Sequence, residues 1–231
     1  MNTAELNELV KNLGISRDQI LREEAELKFL DLLAKNKLGT KLIFYGGTAL
    51  RLAYGSPRFS EDIDLIRAKP FKFKEFADFI KEVTRANAEL WKLKDIKEKR
   101  RTMFALFLIR DGNLKNGFSL KIEVHTPAKK FFLESGLSLI KSPVSVGEPL
   151  LLVPTIKELQ RLKEEAIADR KKARDIFDLW YIAQILREPF LLPDKMPAYS
   201  RREFKNELQV FLPKKYYTVI DQLYEQINKK T

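Results

Sequence analysis

The sequence contains no cysteine and only one histidine, His125. The absence of cysteine excludes disulfide bonds, thiolate zinc sites and cysteine nucleophiles, and it is typical of proteins in a reducing interior. Apolar runs stay far short of the roughly 20 residues that a membrane-spanning helix needs, and no signal-peptide pattern opens the chain. We therefore expect a cytoplasmic protein that does not cross a membrane. We interpret the single histidine as a polar strand residue and not as a metal ligand.

Positive charge dominates the composition. Of the 231 residues, 43 are Lys or Arg and 32 are Asp or Glu, which gives a formal net charge of +11. With 45% hydrophobic residues, the chain is long and apolar enough to fold around a substantial core. The positive excess favours a polyanionic partner, above all nucleic acid, and a lysine-rich surface without that role is the alternative.

The hydrophobic pattern divides the chain into a mixed first part and a helical second part. Helical spacing of apolar residues covers residues 3–35 and 71–88. The predicted strands are Leu42–Tyr45, Ile63–Ile66, Trp91–Lys97, Thr102–Arg110 and Phe118–His125. Beyond Pro154 the pattern is helical almost to the end. We therefore expect an α+β fold, with an α/β domain in residues 1–150 and a helical domain in residues 151–231.

Two glycines, Gly46 and Gly47, separate the strand Leu42–Tyr45 from a helix-like segment that opens at Thr48. A strand, a tight glycine turn and a helix N-terminus together present backbone N–H groups to a phosphate. The sequence therefore predicts a phosphate site at this turn. An ordinary strand-to-helix connection is the alternative.

Three carboxylates lie on strand faces where folding alone gains little from them. Asp62 and Asp64 share one face of a strand because side chains alternate, and two like charges roughly 7 Å apart repel and resist desolvation. Glu123 projects away from the apolar neighbours Ile122 and Val124. If the two strands are neighbours, the three carboxylates form an oxygen site for one or two Mg²⁺ ions. An exposed sheet face without a metal is the alternative.

The motifs resemble a known enzyme superfamily. In "GGTALRLAYGSPRFSEDIDL", thirteen residues separate Gly-Gly-Thr from Asp-Ile-Asp-Leu. This spacing resembles the first motif of the DNA polymerase β-like nucleotidyltransferases, and the full string is similar to their AbiEii/AbiGii toxin branch. The stretches "LKIEV" and "LKEEAIADRKKARDIFDLW" resemble later blocks of that branch. The resemblance implies a small mixed sheet with helices, followed by a helical half that closes the cleft.

The resemblance also implies which residues bind the nucleotide. Backbone amides of Gly46, Gly47 and Thr48 would hold the β- and γ-phosphates. Ser60 would be a further phosphate contact, and Lys163 would lie near the triphosphate. For Lys163, an ordinary surface position on a helix is the alternative.

A second set of implied roles belongs to the acids. Asp62 and Asp64 match the metal-binding pair, and Glu123 matches a third acid that also serves as base for the incoming hydroxyl. Of the two acids in the last block, Asp175 is favoured over Asp178 as the functional one.

A plainer interpretation is open for the two acids Asp175 and Asp178 and for Arg58. Lys171 with Asp175, and Arg174 with Asp178, are spaced for i,i+4 ion pairs on a helix surface, which is the alternative to a functional role for the two acids. Arg58, between the glycines and the acids, we interpret as a loop residue.

The implied activity is transfer of a nucleoside monophosphate from an NTP to a hydroxyl group. The expected acceptor is an RNA, such as a tRNA 3′ end, since basic clusters at Lys92–Arg101 and Lys171–Arg174 accompany the site. The branch implies the toxin of a type IV toxin–antitoxin or abortive-infection system, and hence a cognate antitoxin. A nucleotidyltransferase that modifies protein, as in AMPylation, and an inactive nucleotide- or RNA-binding module are the alternatives.

Overall fold

The computed structural model describes residues 1–127, 132–193 and 196–228. Within these ranges the helices are α1 (Thr3–Leu13), α2 (Arg17–Lys35), α3 (Gly46–Tyr54), α4 (Phe73–Ala86), α5 (Ile156–Asp169), α6 (Ala173–Leu186), α7 (Arg201–Phe211) and α8 (Tyr217–Asn228). The strands are β1 (Leu42–Tyr45), β2 (Asp62–Arg67), β3 (Trp91–Lys99), β4 (Thr102–Ile109), β5 (Phe118–His125), β6 (Ser135–Leu139) and β7 (Leu150–Pro154). None of the described helices is long and apolar enough to span a bilayer.

Five strands form one mixed sheet in the order β1-β2-β5-β4-β3. β2 and β5 run parallel, and the other neighbouring pairs are antiparallel. In the parallel pair, Asp64 lies opposite Glu123 and Asp62 lies opposite Lys121. The α+β class and the five strands expected from the sequence are confirmed. The two strands that carry the acids are neighbours, which is the condition that a shared carboxylate site requires.

The sheet has one face in the core and one face that carries polar side chains. On β4, Met103, Ala105, Phe107 and Ile109 are buried, and the residues between them are partly exposed. Helices α2 and α4 pack against the buried face. Because side chains alternate along a strand, the acids of β2 and β5 point to the opposite face.

A small antiparallel sheet of β6 and β7 has no counterpart in the predicted strands. β7 lies next to β1, and the chain turns directly from it into α5. The turn is fixed by Thr155, whose hydroxyl accepts a hydrogen bond from the backbone N–H of Glu158 at 3.4 Å. Such an N-cap satisfies a donor that the helix leaves unpaired. The hairpin thus sets where α5 begins beside the polar face of the main sheet.

The buried apolar residues form two large clusters, one within residues 6–153 and one within residues 167–227. A smaller cluster of Leu50, Leu159 and Ile182 joins α3 to α5 and α6. Helices α5 and α6 are thereby held beside the N-terminus of α3 and the acids. The division into domains at residue 150 stays a prediction.

Candidate active site

The side chains of β2 and β5 bring together a group of possible metal ligands. Ligand atoms of Asp64, Glu123 and His125 all lie within 4.8 Å of one another, and this is the one such group found among the described residues. His125 belongs to it because it follows Glu123 by two positions on β5 and so shares its face. Sequence reasoning set His125 aside as a ligand, whereas the structure places its ring beside the two acids.

A lysine, Lys121, lies between the acids. Its ammonium is 3.1 Å from Asp62 Oδ2 and 3.0 Å from Glu123 Oε2. Asp62 is therefore paired with Lys121. It does not belong to the group of residues that lie close enough together to share a metal ion. Lys121 is two positions before Glu123 on β5 and so shares its face, and sequence reasoning gave it no role. The alternation of "LKIEV" was the signal that could have identified it.

The local charges shift the protonation of the site. The pKa of Asp64 is raised, first because the side chain is buried and second because the Asp62 carboxylate lies nearby. Burial and the charges of Asp64 and Glu123 raise the pKa of Tyr45 as well, so its hydroxyl stays protonated. Burial opposes the charge of Lys121, but hydrogen bonds to Glu123 and Asp62 outweigh it and raise the pKa of the ammonium. The acids repel one another until a cation balances them.

The Gly-Gly turn requires its glycines. The helix α3 begins at Gly46 itself, two residues before the expected start, and Gly46 has a φ of 85°, which favours glycine. A Cβ on Gly46 would lie 2.6 Å from Asp64 Oδ2, and one on Gly47 would lie 2.4 Å from Arg58 Nη2 and 3.0 Å from Ser60 Oγ. The backbone therefore passes closely over the acid, the arginine and the serine, and it leaves the helix N-terminus open to the cleft.

Thr48 takes a different place from its two glycine neighbours. It is buried, and its hydroxyl donates a hydrogen bond to the backbone carbonyl of Asp62. The side chain thereby ties the first turn of α3 to the start of β2. Gly46, Gly47 and Ser60 line the cleft, whereas Thr48 does not.

Arg58 is a buried residue of the site and not the plain loop residue that the sequence suggested. The residue is 1% exposed, and its guanidinium donates two hydrogen bonds to Asp178, from Nε at 2.6 Å and from Nη2 at 2.8 Å. A third bond reaches the carbonyl of Phe59. Arg58 thus connects the segment before β2 to α6. No local pattern in the sequence links two residues that are 120 positions apart.

Lys163 of α5 completes a buried network. Its ammonium lies 2.9 Å from Asp175 Oδ1 and 2.6 Å from Asp178 Oδ2, and Arg170 contacts Asp175 at 2.8 Å. Both aspartates are 0% exposed. Lys163 and Arg170 line the cleft, whereas the two acids lie behind them. Lys163 is therefore no ordinary surface residue, and the acids act on the cleft only through the cations that they hold.

The alternative of exposed i,i+4 pairs on α6 is wrong. Lys171 pairs with Glu203 at 3.1 Å, and Arg174 approaches Glu207 at 3.9 Å. Burial alone would raise the pKa of Asp175, but the charge of Lys163 and the hydrogen bond from Arg170 outweigh it and hold that pKa well below its usual range.

These residues surround one cleft of about 480 Å³. The lining includes the acids of β2 and β5, together with Gly46, Gly47 and Ser60. It also includes four cationic side chains: Arg58, Lys163, Arg170 and Arg174. A cleft lined by metal-ligating acids and by fixed cations can hold a polyphosphate with its counterion.

The fold is shared with two solved structures. The crystal structure of JHP933 from Helicobacter pylori has a TM-score of 0.56 and 19% identity, over 94% of both chains. A candidate nucleotidyltransferase from H. pylori has a TM-score of 0.56 and 20% identity, over 94% of this chain and 97% of that one. No curated protein sequence matches this chain well enough to count as a relative. The architecture is thus one found in a protein assigned to the nucleotidyltransferase class.

The sequence itself gives the family. The family model described as "Nucleotidyl transferase AbiEii toxin, Type IV TA system" matches residues 28–213, which is most of the chain. The protein belongs to this family of nucleotidyltransferase toxins. The match begins within α2 and ends just after α7, so it includes the acids, the Gly-Gly turn and the buried Lys163 network.

Proposed function

We propose that the protein transfers a nucleoside monophosphate from an NTP to a hydroxyl group of an RNA, within a type IV toxin–antitoxin system. The observation that carries the proposal is a single cleft that is lined by both acids and cations. Asp64 and Glu123 line it together with the cations Lys163 and Arg170. Metal-ligating acids and phosphate-binding cations are both needed to hold a triphosphate with its α-phosphorus exposed to attack.

The donor set fits a divalent metal ion. Two carboxylates and one imidazole within 4.8 Å offer mainly hard oxygen ligands, which suit Mg²⁺, and the imidazole extends the range to Mn²⁺. Asp64, Glu123 and His125 would hold the ion, with Asp62 joining once Lys121 moves aside. The ion would supply positive charge to the phosphates and make the attacking hydroxyl more acidic.

The protein's own groups would bind and orient the reactants. Backbone N–H groups at Gly46 and Gly47 and the hydroxyl of Ser60 donate hydrogen bonds to the phosphates, as a helix N-terminus does for an anion. Lys163 and Arg170 hold the far phosphates, fixed by the buried carboxylates behind them.

The reaction is an in-line displacement at the α-phosphorus. A bond forms from the acceptor oxygen to that phosphorus, and its bond to the bridging oxygen of the β-phosphate breaks, so that pyrophosphate leaves. Glu123 accepts the proton of the attacking hydroxyl, since its carboxylate lies beside Asp64 and lines the cleft. Most of the rate gain comes from positioning and charge, as in other phosphoryl transfers.

The net charge supports RNA as the acceptor. An excess of 11 positive charges is more than one triphosphate with its metal needs. Six of the ten residues Lys92–Arg101 are Lys or Arg, and they lie on or between β3 and β4. Such a cluster neutralises the phosphates of a nucleic-acid strand. The family adds a cognate antitoxin as a further partner.

A labelling experiment tests this function. The protein is incubated with Mg²⁺, total RNA and each of the four α-³²P-labelled NTPs in turn, with Asp64→Asn as the inactive control. We expect label in RNA with the wild type only, and RNA binding that weakens steeply with salt. Label confined to a polypeptide band would show a protein acceptor, and no label in either would show an inactive module.

A further inference from the structure

The exposed side of the main sheet continues beyond the acids over β4 and β3. Strand register places Asp64, Glu123, Phe104 and Lys97 in one row across four neighbouring strands. Neighbouring strands are about 5 Å apart, so Phe104 is one strand away from Glu123 and two from Asp64. Helices α2 and α4 pack on the other face of this sheet. The row therefore leads from the proposed reaction centre to the partly exposed Phe104 and the exposed Lys97.

Phe104 is a large apolar side chain that contributes to no core. It is partly exposed, as are Leu106 and Leu108 on the same face of β4. The three belong to none of the hydrophobic clusters formed by the described residues. An apolar surface next to a polar cleft and outside the core is typical of a binding site.

Two lysines lie over the Phe104 ring. Lys97 Nζ is 5.0 Å and Lys99 Nζ is 5.1 Å from the ring centroid, and both side chains are exposed. Lys97 also pairs with Asp95, whereas Lys99 makes no ion pair with any residue that the structure describes. The ring thus holds two exposed cations, one strand away from Glu123.

We propose that Phe104, Lys97 and Lys99 form a platform for the acceptor strand, on which a base near its reactive end stacks. A base has an aromatic face that stacks on Phe, and its phosphates pair with flexible lysines displaced to the ring edge. Charge complementarity with a polyanion and the continuity of the row with Glu123 favour a single RNA strand over an apolar protein segment. The inference rests on the proposed function and adds where the acceptor lies.

The platform explains how one site distinguishes the NTP from the RNA acceptor. The NTP is held by charges from α5 and α6 and by the Gly-Gly turn, on the β1–β2 side of the acids. The acceptor approaches from the β4–β3 side, where the aromatic ring lies. Loss of the ring therefore affects the acceptor and leaves the NTP site as it is.

Binding of a fluorescent RNA tests the platform. The probe is a 10-nucleotide single strand of mixed sequence with 2-aminopurine at its 3′ end, read by anisotropy and by quenching of the 2-aminopurine. Phe104→Ala should weaken binding about 5- to 100-fold and remove the quenching, since stacking on an aromatic side chain has that effect. Phe104→Trp should bind and quench as the wild type does.

The controls separate stacking from charge and from folding. Leu108→Ala truncates an apolar residue on the same face of β4 as Phe104. Leu108 pairs with Ser119 on β5 and not with Glu123, so it lies in another row of the sheet. The substitution should leave the affinity for RNA unchanged. Lys99→Gln should lower RNA affinity and the salt slope, whereas Lys115→Gln, an exposed loop cation, should affect them less. ATP affinity should be the same in the wild type and in all five variants.

Three results would overturn the platform. If the wild type binds RNA and Phe104→Ala binds and quenches equally well, the platform is wrong while an RNA acceptor stands. If the wild type binds no RNA but labels a polypeptide, the RNA acceptor of the proposed function is wrong and the platform with it. Equal losses in Phe104→Ala and Leu108→Ala would likewise show that stacking has no part.

Discussion

Arg58 and Asp178 form a buried, doubly hydrogen-bonded ion pair that joins the segment before β2 to helix α6. Both side chains are withdrawn from solvent, at 2% and 0% exposure. The pair joins the Gly-Gly turn to the Lys163 network, because a Cβ on Gly47 would lie 2.4 Å from Arg58 Nη2 and Asp178 also holds Lys163. The stability of the fold and the arrangement of the cleft residues therefore both depend on this ion pair.

Removal of Arg58 should destabilise the fold. Arg58→Met leaves a buried carboxylate without its main partner, and loss of one member of such a pair typically costs about 3–5 kcal/mol. Urea denaturation measures the change in free energy of unfolding. Asp78→Asn, which removes the exposed Lys74–Asp78 pair, should change it little, because solvent screens such a pair. Equal changes in the free energy of unfolding for Arg58→Met and Asp78→Asn would show that the buried pair stabilises the fold no more than the exposed pair does.

Lys121 should compete with a metal ion for the acids. Its ammonium contacts Asp62 and Glu123, so Lys121→Met removes an internal cation and leaves the acids to repel one another. We expect tighter binding of Mn²⁺ by isothermal titration, together with lower stability in the absence of a divalent ion. Lys115→Gln should leave both unchanged. Weaker Mn²⁺ binding in Lys121→Met would contradict the competition.

The buried Glu26 of α2 should reduce stability at neutral pH. Burial, followed by the charge of Glu23, raises its pKa well above 4.5, and its Oε1 has no hydrogen-bond partner among the described residues. For an acid whose pKa is raised on folding, the contribution to stability is greatest below the unfolded pKa and is lost as pH rises through the folded one.

Glu26→Gln should therefore stabilise the protein at pH 7. The gain should shrink as pH falls and vanish near pH 4, where the carboxyl is protonated in both states. Urea denaturation at several pH values measures it. Glu8→Gln, on the exposed side of α1, removes the same charge and should show little of this dependence. A gain that is the same at pH 4 and pH 7 would rule out ionisation as its cause.

Gly46 should not tolerate a side chain. Gly46→Ala places a Cβ against Asp64 at a positive φ, so we expect a loss of about 1–3 kcal/mol of stability and weaker binding of ATP. Gly136→Ala is the matched control, since nothing lies within 4 Å of its Cβ and its φ is not positive. ATP binding by Gly46→Ala at wild-type affinity would remove the Gly-Gly turn from the proposed nucleotide site.

Much of the sheet could be predicted because its signals are local. Leu42–Tyr45 is a short apolar run bounded by glycines, and the alternation of β2 and β5 shows which side chains share a face. β6 escaped prediction because Ser135–Leu139 is short, contains glycine and leaves its leucines exposed. It becomes a strand only through pairing with β7, which a local pattern does not reveal.

The sequence pointed to the acids, the glycines and Lys163 of the candidate site, but not to Lys121 or to the ion pair of Arg58. Asp62, Asp64 and Glu123 are conspicuous because charge interrupts an apolar strand pattern. The partner of Arg58 lies 120 positions away, and Lys121 is notable only once β2 and β5 are paired in register. Contacts between distant elements depend on packing, so a single sequence leaves them open.

Release of pyrophosphate is the most direct test of the account. With ATP, CTP, GTP and UTP, Mg²⁺ and total RNA, the wild type should release pyrophosphate in step with transfer of label to the acceptor. Asp64→Asn should release pyrophosphate at least about 100-fold more slowly than the wild type. The amide has the shape of the carboxylate but not its negative charge, so it cannot provide the electrostatic stabilisation that the reaction needs. Its fold should be retained or be more stable, since repulsion from Asp62 is removed. A folded Asp64→Asn protein that releases pyrophosphate at the wild-type rate would contradict the account.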